Sequence, residues 1–135
     1  MSLLQLFYLY LLTIPVFFII DLAWLGVIAK DFYQGKLEHL LGPVNWTAAI
    51  IFYLIYIVGI MVFAVAPALD AQSLTKAVVL GALFGFFVYV TYDLTNLALL
   101  KDWPMSVVFV DILWGTILTG SVATISYLIG KSLFL

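Results

Sequence analysis

Three aspartates stand alone as charges within long apolar runs: Asp21 in Leu3–Ala29, Asp93 in Ala77–Leu100 and Asp111 in Met105–Gly130. An ionised carboxylate in hydrocarbon costs roughly 2.5–3.5 kcal/mol on the insertion scale, so three facing lipid would cost on the order of 8–10 kcal/mol. Facing inward removes most of that penalty. No lysine interrupts these runs and the chain has no arginine. The ways left to lower the cost are a shared proton, a bound cation, hydrogen bonds from Tyr, Asn, Thr or Trp, and a water-filled pocket.

Helix rise of about 1.5 Å per residue puts Asp21 roughly 13 Å below Lys30, Asp93 roughly 12 Å below Lys101 and Asp111 roughly 10 Å below Pro104. Because the last of these runs is antiparallel to the other two, all three carboxylates are expected at one level near one face. Trp24 and Trp114 each follow an aspartate by three residues. With Trp24 above its aspartate and Trp114 below, the indoles are expected to bracket the carboxylate layer, donating N–H groups and offering ring faces to a cation. Tyr92 and Asn96 share the Asp93 region of a stripe that includes Gly81, Gly85 and Tyr89.

The candidate ligand-binding set is therefore Asp21, Trp24, Tyr92, Asp93, Asn96, Asp111 and Trp114, with the three aspartates as the catalytic candidates. The metal-ligand candidates are Asp21, Asp93 and Asp111, with His39 as a fourth, and no recognisable ligand spacing accompanies them. The plainer alternatives are aspartates acting as interhelical glue and a solvated interfacial His39.

The elements that must position these residues follow from composition. Of 135 residues, 67% are hydrophobic and 9% charged, against about 45–50% and about 25% in soluble domains. A water-soluble bundle would need a polar stripe on each helix, and a β-barrel would need alternation at period two; neither is present. The pattern predicts an all-α, integral membrane four-helix bundle forming a single transmembrane domain over 1–135. Its spans lie at about 3–29, 45–67, 74–100 and 104–130, each at least the roughly 20 residues needed to cross a bilayer. The first span lacks a basic n-region and exceeds a secretory h-region in length, so it reads as a permanent span.

Residues 31–41 form an interfacial segment in which Phe32, Leu37, Leu40 and Leu41 can lie flat on the membrane. Gly42 and Pro43 are expected to end it and begin the next helix, Pro67 to stop span two, Ser73 to cap span three and Pro104 to open span four. Tyr8, Tyr33, Trp46 and Trp103 read as an anchoring aromatic belt. The G-x-x-x-G of Gly81 and Gly85 allows close helix approach, and span two reads mainly as scaffold. "DLAWLGVIAKDF" and "DLTNLALLKDW" match with a one-residue difference in spacing, which suggests two tandem helix hairpins as a parallel internal repeat. Lysine counting does not set the orientation. The absence of cysteine excludes disulfides, thiol catalysis and thiolate metal sites. A net charge of −2 argues against nucleic acid as a partner.

"FxxDLAWLGVIAKDFYQGKLEHLL", "GFFVYVTYDLTNLALLKDWP" and "VDILWGTILT" together resemble DUF2177, a bacterial family of small membrane proteins. The likeness covers nearly the whole chain, "TYDLTNLA" and "DILWGT" being its most specific parts. The resemblance implies a four-span protein of the bacterial inner membrane with both termini in the cytoplasm, and brings no activity with it. Three functions remain open. One is binding of protons, cations or a small cationic solute in transport or sensing, with the lipid bilayer and a homo-oligomer as partners. The second is an intramembrane enzyme acting on a lipid or isoprenoid with an aspartate as general acid. The third is an accessory subunit with structural aspartates. No cofactor is required by the sequence; a bound cation is compatible with it.

Overall fold

The computed structural model describes all 135 residues. Four helices are long and apolar enough to cross a membrane: α1 (Leu3–Ile28), α3 (Trp46–Ala71), α4 (Leu74–Leu99) and α5 (Met105–Phe134). The short α2 (Lys30–Leu37) lies between the first two, and there are no strands. Large apolar side chains such as Ile19, Ile55, Phe63, Phe87 and Phe109 point outward all around the bundle, an arrangement that only a lipid environment makes favourable.

Side chains fix where the helices start. Ser2 and Gln5 form a reciprocal capping box on α1, and Ser73 Oγ accepts from the Lys76 amide at the head of α4. Asn45 Oδ1 accepts from the Ala48 amide and begins α3, so Asn45, rather than Pro43, is the start signal. Pro67 does not stop the second span: the helix continues to Ala71. The chain widens into a π-helical turn over Met61–Val65 just before it, and a proline in the next turn follows a stretch already adapted to a missing N–H. The turn to α4 is made instead by Gln72 in the left-handed region (φ 46°). The fourth span likewise runs to Phe134 instead of ending near 130.

A second π-helical turn, Trp24–Ile28, ends α1, where the Ala29 amide bonds the Trp24 carbonyl five residues back at 2.7 Å. It accounts for the uneven spacing of the repeat. From Asp21 to Lys30 there is one residue more than from Asp93 to Lys101; α1 absorbs it in the wider turn, while α4 remains α-helical to Leu99. Phe32 and Trp103, equivalent by the repeat, then meet in one apolar cluster with Val107, Val108 and Leu37.

The repeat does not extend to packing. The α4–α5 pair is the most intimate in the bundle, whereas α1 and α3 touch lightly and pack more on α5 and α4. The reason lies in the glycines. A Cβ on Gly81 would stand 2.6 Å from that of Ala123, and one on Gly85 would overlap the Gly115 carbonyl and the Thr119 side chain. No such small-residue seam joins α1 to α3. Helix α5 is thereby central and holds more of the buried residues than any other helix.

Candidate functional site

All three aspartates are inside the bundle, with exposures of 3% for Asp21, 0% for Asp93 and 8% for Asp111. They do not share one level. Trp24 and Trp114 do not bracket them; the two indoles stack on each other with centroids 4.5 Å apart and planes inclined by 10°. On α1 the ring lies three residues toward the α2 end from Asp21, and on the antiparallel α5 it lies three residues away from that end relative to Asp111. Rings in register therefore put the two aspartates about 9 Å apart along the axis, with Asp21 the deeper. Stacked this closely, the rings leave no space between them for a cation.

Two storeys result. In the lower one, Trp114 Nε1 donates to Asp21 Oδ1 at 3.1 Å, and Tyr53 of α3 faces the same carboxylate. In the upper one, Trp24 Nε1 donates to Tyr33 Oη at 3.2 Å, and Tyr33 in turn donates to Asp111 Oδ1 at 2.9 Å. The π-helical end of α1 and the following α2 bring Tyr33 over the bundle end to make that contact. Burial and the nearby Asp111 charge push the Tyr33 hydroxyl above its ordinary range, so it remains a donor at neutral pH.

Asp93 faces Asp111 and the Trp103 indole, yet neither of its oxygens has a hydrogen-bond partner, and Trp103 Nε1 has none either. An unpaired buried carboxylate of this kind is among the most costly groups a fold can hold. Lys30 and Lys101, the lysines that follow Asp21 and Asp93 in sequence, are exposed at the helix ends. Tyr92 is half-exposed and meets Trp103 edge-on with centroids 5.9 Å apart. Asn96 lies one turn on, near Tyr92.

His39 sits apart from the carboxylates; its Nε2 is 3.0 Å from the Asp102 carbonyl oxygen and ties the end of the α2 segment to the α4–α5 turn. No set of three or more His, Asp or Glu side chains converges closely enough to hold a metal ion. Tyr33 and Trp103, expected in an anchoring belt, instead turn inward to the carboxylates, while Tyr8 and Trp46 remain exposed. Phe32 and Leu37 pack into the Trp103 cluster, leaving Leu40 and Leu41 as the exposed members of the expected interfacial stripe. The sequence signal for Trp103 was its equivalence to Phe32 in the repeat; for Tyr33 there was none, because its approach depends on the bend between α1 and α2.

Two cavities meet at Asp111 and Tyr92. One, of about 370 Å³, is lined by Phe52, Val88, Tyr89, Tyr92 and Asp111. The other, of about 250 Å³, lies beneath α2 and includes Tyr33, Trp103 and Asp111 in its wall. Compared with known proteins, the chain has no significant match among curated proteins or solved structures. Residues 6–128 match a family described as "Predicted membrane protein (DUF2177)". A match over so much of the chain makes this four-span membrane protein a member of the DUF2177 family.

Proposed function

We propose that Asp93 and Asp111 form a proton- and cation-binding pair in a small protein of the bacterial inner membrane that acts in transport or sensing. The observation that carries this reading is the fully buried Asp93, with both oxygens unpartnered, facing a second carboxylate. Two facing carboxylates without a basic partner are held together by a shared proton or a cation. The other titratable groups facing the pair are Tyr33 from α2 and Tyr89 and Tyr92 from α4, with Asp21 of α1 deeper and Tyr53 and Tyr56 of α3 beside Asp21. None of them is cationic.

With both termini in the cytoplasm, the α2 end and the carboxylate pair face the outer side. Four helices enclose little space, so a continuous conduit requires a homo-oligomer. The test is pH-difference infrared spectroscopy of the protein in lipid. The expected result is a protonated-carboxyl band that disappears in both Asp93→Asn and Asp111→Asn while helical circular dichroism is retained. A band unchanged in both variants overturns the proposal. An acid pulse applied to proteoliposomes loaded with a pH-sensitive dye then separates transport, which acidifies the lumen, from sensing, which does not.

A further inference from the structure

The larger cavity has a composition unlike that of an inorganic cation site. Its wall is built from Phe52 of α3, Val88, Tyr89 and Tyr92 of α4, and Asp111 of α5. Hard cations take about six or more oxygen ligands, whereas this wall offers one carboxylate and three aromatic rings, and no third acidic or histidine side chain converges on it. Tyr33 occupies Asp111 Oδ1; the second oxygen has no protein donor and is not among the sealed, unpartnered atoms. Asp111 therefore retains acceptor capacity toward the cavity it lines.

The volume of about 370 Å³ falls at the small end of the ~300–1,000 Å³ typical of small-molecule sites. Phe52 and Tyr92 are each about half-exposed, 47% and 54%, and they stand on α3 and α4, so the mouth of the cavity lies on the lipid-facing side between those helices. A ligand entering there arrives from the bilayer, which selects for apolar substituents. A ligand held there meets a carboxylate and aromatic rings, which selects for positive charge without a hydration shell.

We infer that this cavity binds a monovalent organic cation, an ammonium group carrying apolar or aromatic substituents, with Asp111 as counter-ion and Phe52, Tyr89 and Tyr92 as its aromatic wall. The inference rests on the carboxylate-pair reading above and names its ligand class: the organic cation takes the charge-neutralising place that a proton otherwise fills.

The probe is radiolabelled benzyltrimethylammonium in equilibrium dialysis against the purified full chain in nonionic detergent. Saturable binding is expected, weakened on the order of thirty-fold by Asp111→Asn, as for loss of a desolvated charge partner. Phe52→Leu, at the half-exposed rim where folding is least at risk, is expected to weaken it about three-fold. Excess benzyl alcohol, neutral but aromatic, is expected to leave the label bound. Absence of saturable binding, binding indifferent to both substitutions, displacement by benzyl alcohol, or stoichiometric displacement by potassium each overturns the inference. A protonated-carboxyl band at Asp93 and Asp111 without binding of the probe defeats this inference alone; binding of the probe without such a band defeats the proton reading alone.

Discussion

At mid-bundle, Thr13 Oγ1 and Ser126 Oγ lie 2.8 Å apart between α1 and α5, and Tyr56 Oη and Thr119 Oγ1 lie 2.7 Å apart between α3 and α5. At the α2 end, Asp93 leaves both oxygens unpaired, Trp103 leaves its indole N–H unpaired, and two cavities open beside them. Both regions are buried and both join several helices, but only the first is closed. Thr13 even bonds the Leu9 carbonyl of its own helix at 2.7 Å in addition to Ser126. Satisfied hydroxyls of this kind hold helices together in a membrane, where a lost partner cannot be replaced by water. A carboxylate left unsatisfied in the same protein lowers stability, so its presence points to a use other than packing.

Separating the helices that carry both regions is expected to have the largest effect. Gly85→Val places side-chain atoms where the Gly115 carbonyl and Thr119 already stand. It is expected to cost about 3 kcal/mol or more, enough to collapse both regions, read as early loss of helix in a denaturing-detergent titration. Two single substitutions, one in each region, are expected to have opposite signs. Thr119→Val strands the buried Tyr56 hydroxyl and is expected to destabilise by about 1–3 kcal/mol, whereas Asp93→Leu removes an unpaired buried group and is expected to stabilise by a similar amount of about 1–3 kcal/mol. Both are read in the same titration. If Asp93→Leu destabilises as Thr119→Val does, the carboxylate is glue after all and the contrast between the regions disappears.

Tyr33 supplies a pH-dependent version. Its hydroxyl is held above the ordinary tyrosine range by burial and the Asp111 charge. The stability it contributes is therefore fully present below about pH 10, the ordinary tyrosine value, and is lost as pH rises from there toward the higher folded value. Tyr33→Phe is expected to flatten this alkaline limb and to cost about 0.5–1.5 kcal/mol at neutral pH. An alkaline limb unchanged in the variant would assign it to another group. The smallest effect is expected from Ser126→Ala, about 0.5–1 kcal/mol, because Thr13 keeps the Leu9 carbonyl and what is lost is the contact with Thr13 and a weak one to the Met61 sulfur. Its protonated-carboxyl band should match that of the unaltered protein.

Much of the architecture was legible in the residues, and the site less so. The apolar runs locate four spans, Ser73 locates a cap, and Gly81 with Gly85 locates the closest helix approach. Pro67 misleads because proline ends a helix only where the turn before it cannot adapt, and here that turn is π-helical. At the site, the three aspartates were correctly singled out as buried, but one shared level became two, because a count of rise assumes that antiparallel helices begin in register. Stacking of Trp24 on Trp114 sets a different offset. Tyr33 and Trp103 looked like membrane anchors because position near a helix end is all that a linear reading supplies.

The linear information is one-dimensional: length and hydropathy impose four membrane helices, and the lack of a basic residue within the aspartate-bearing runs requires their carboxylates to find protons, cations or donors. Which groups meet follows from helix packing. The glycine seam of α4 and α5 sets how closely those helices approach, and the extra residue in the Trp24–Ile28 turn redirects the chain into α2. Rotation and axial offset, unlike length, are properties of helix pairs, and they bring Tyr33 to Asp111 and leave Asp93 without a donor.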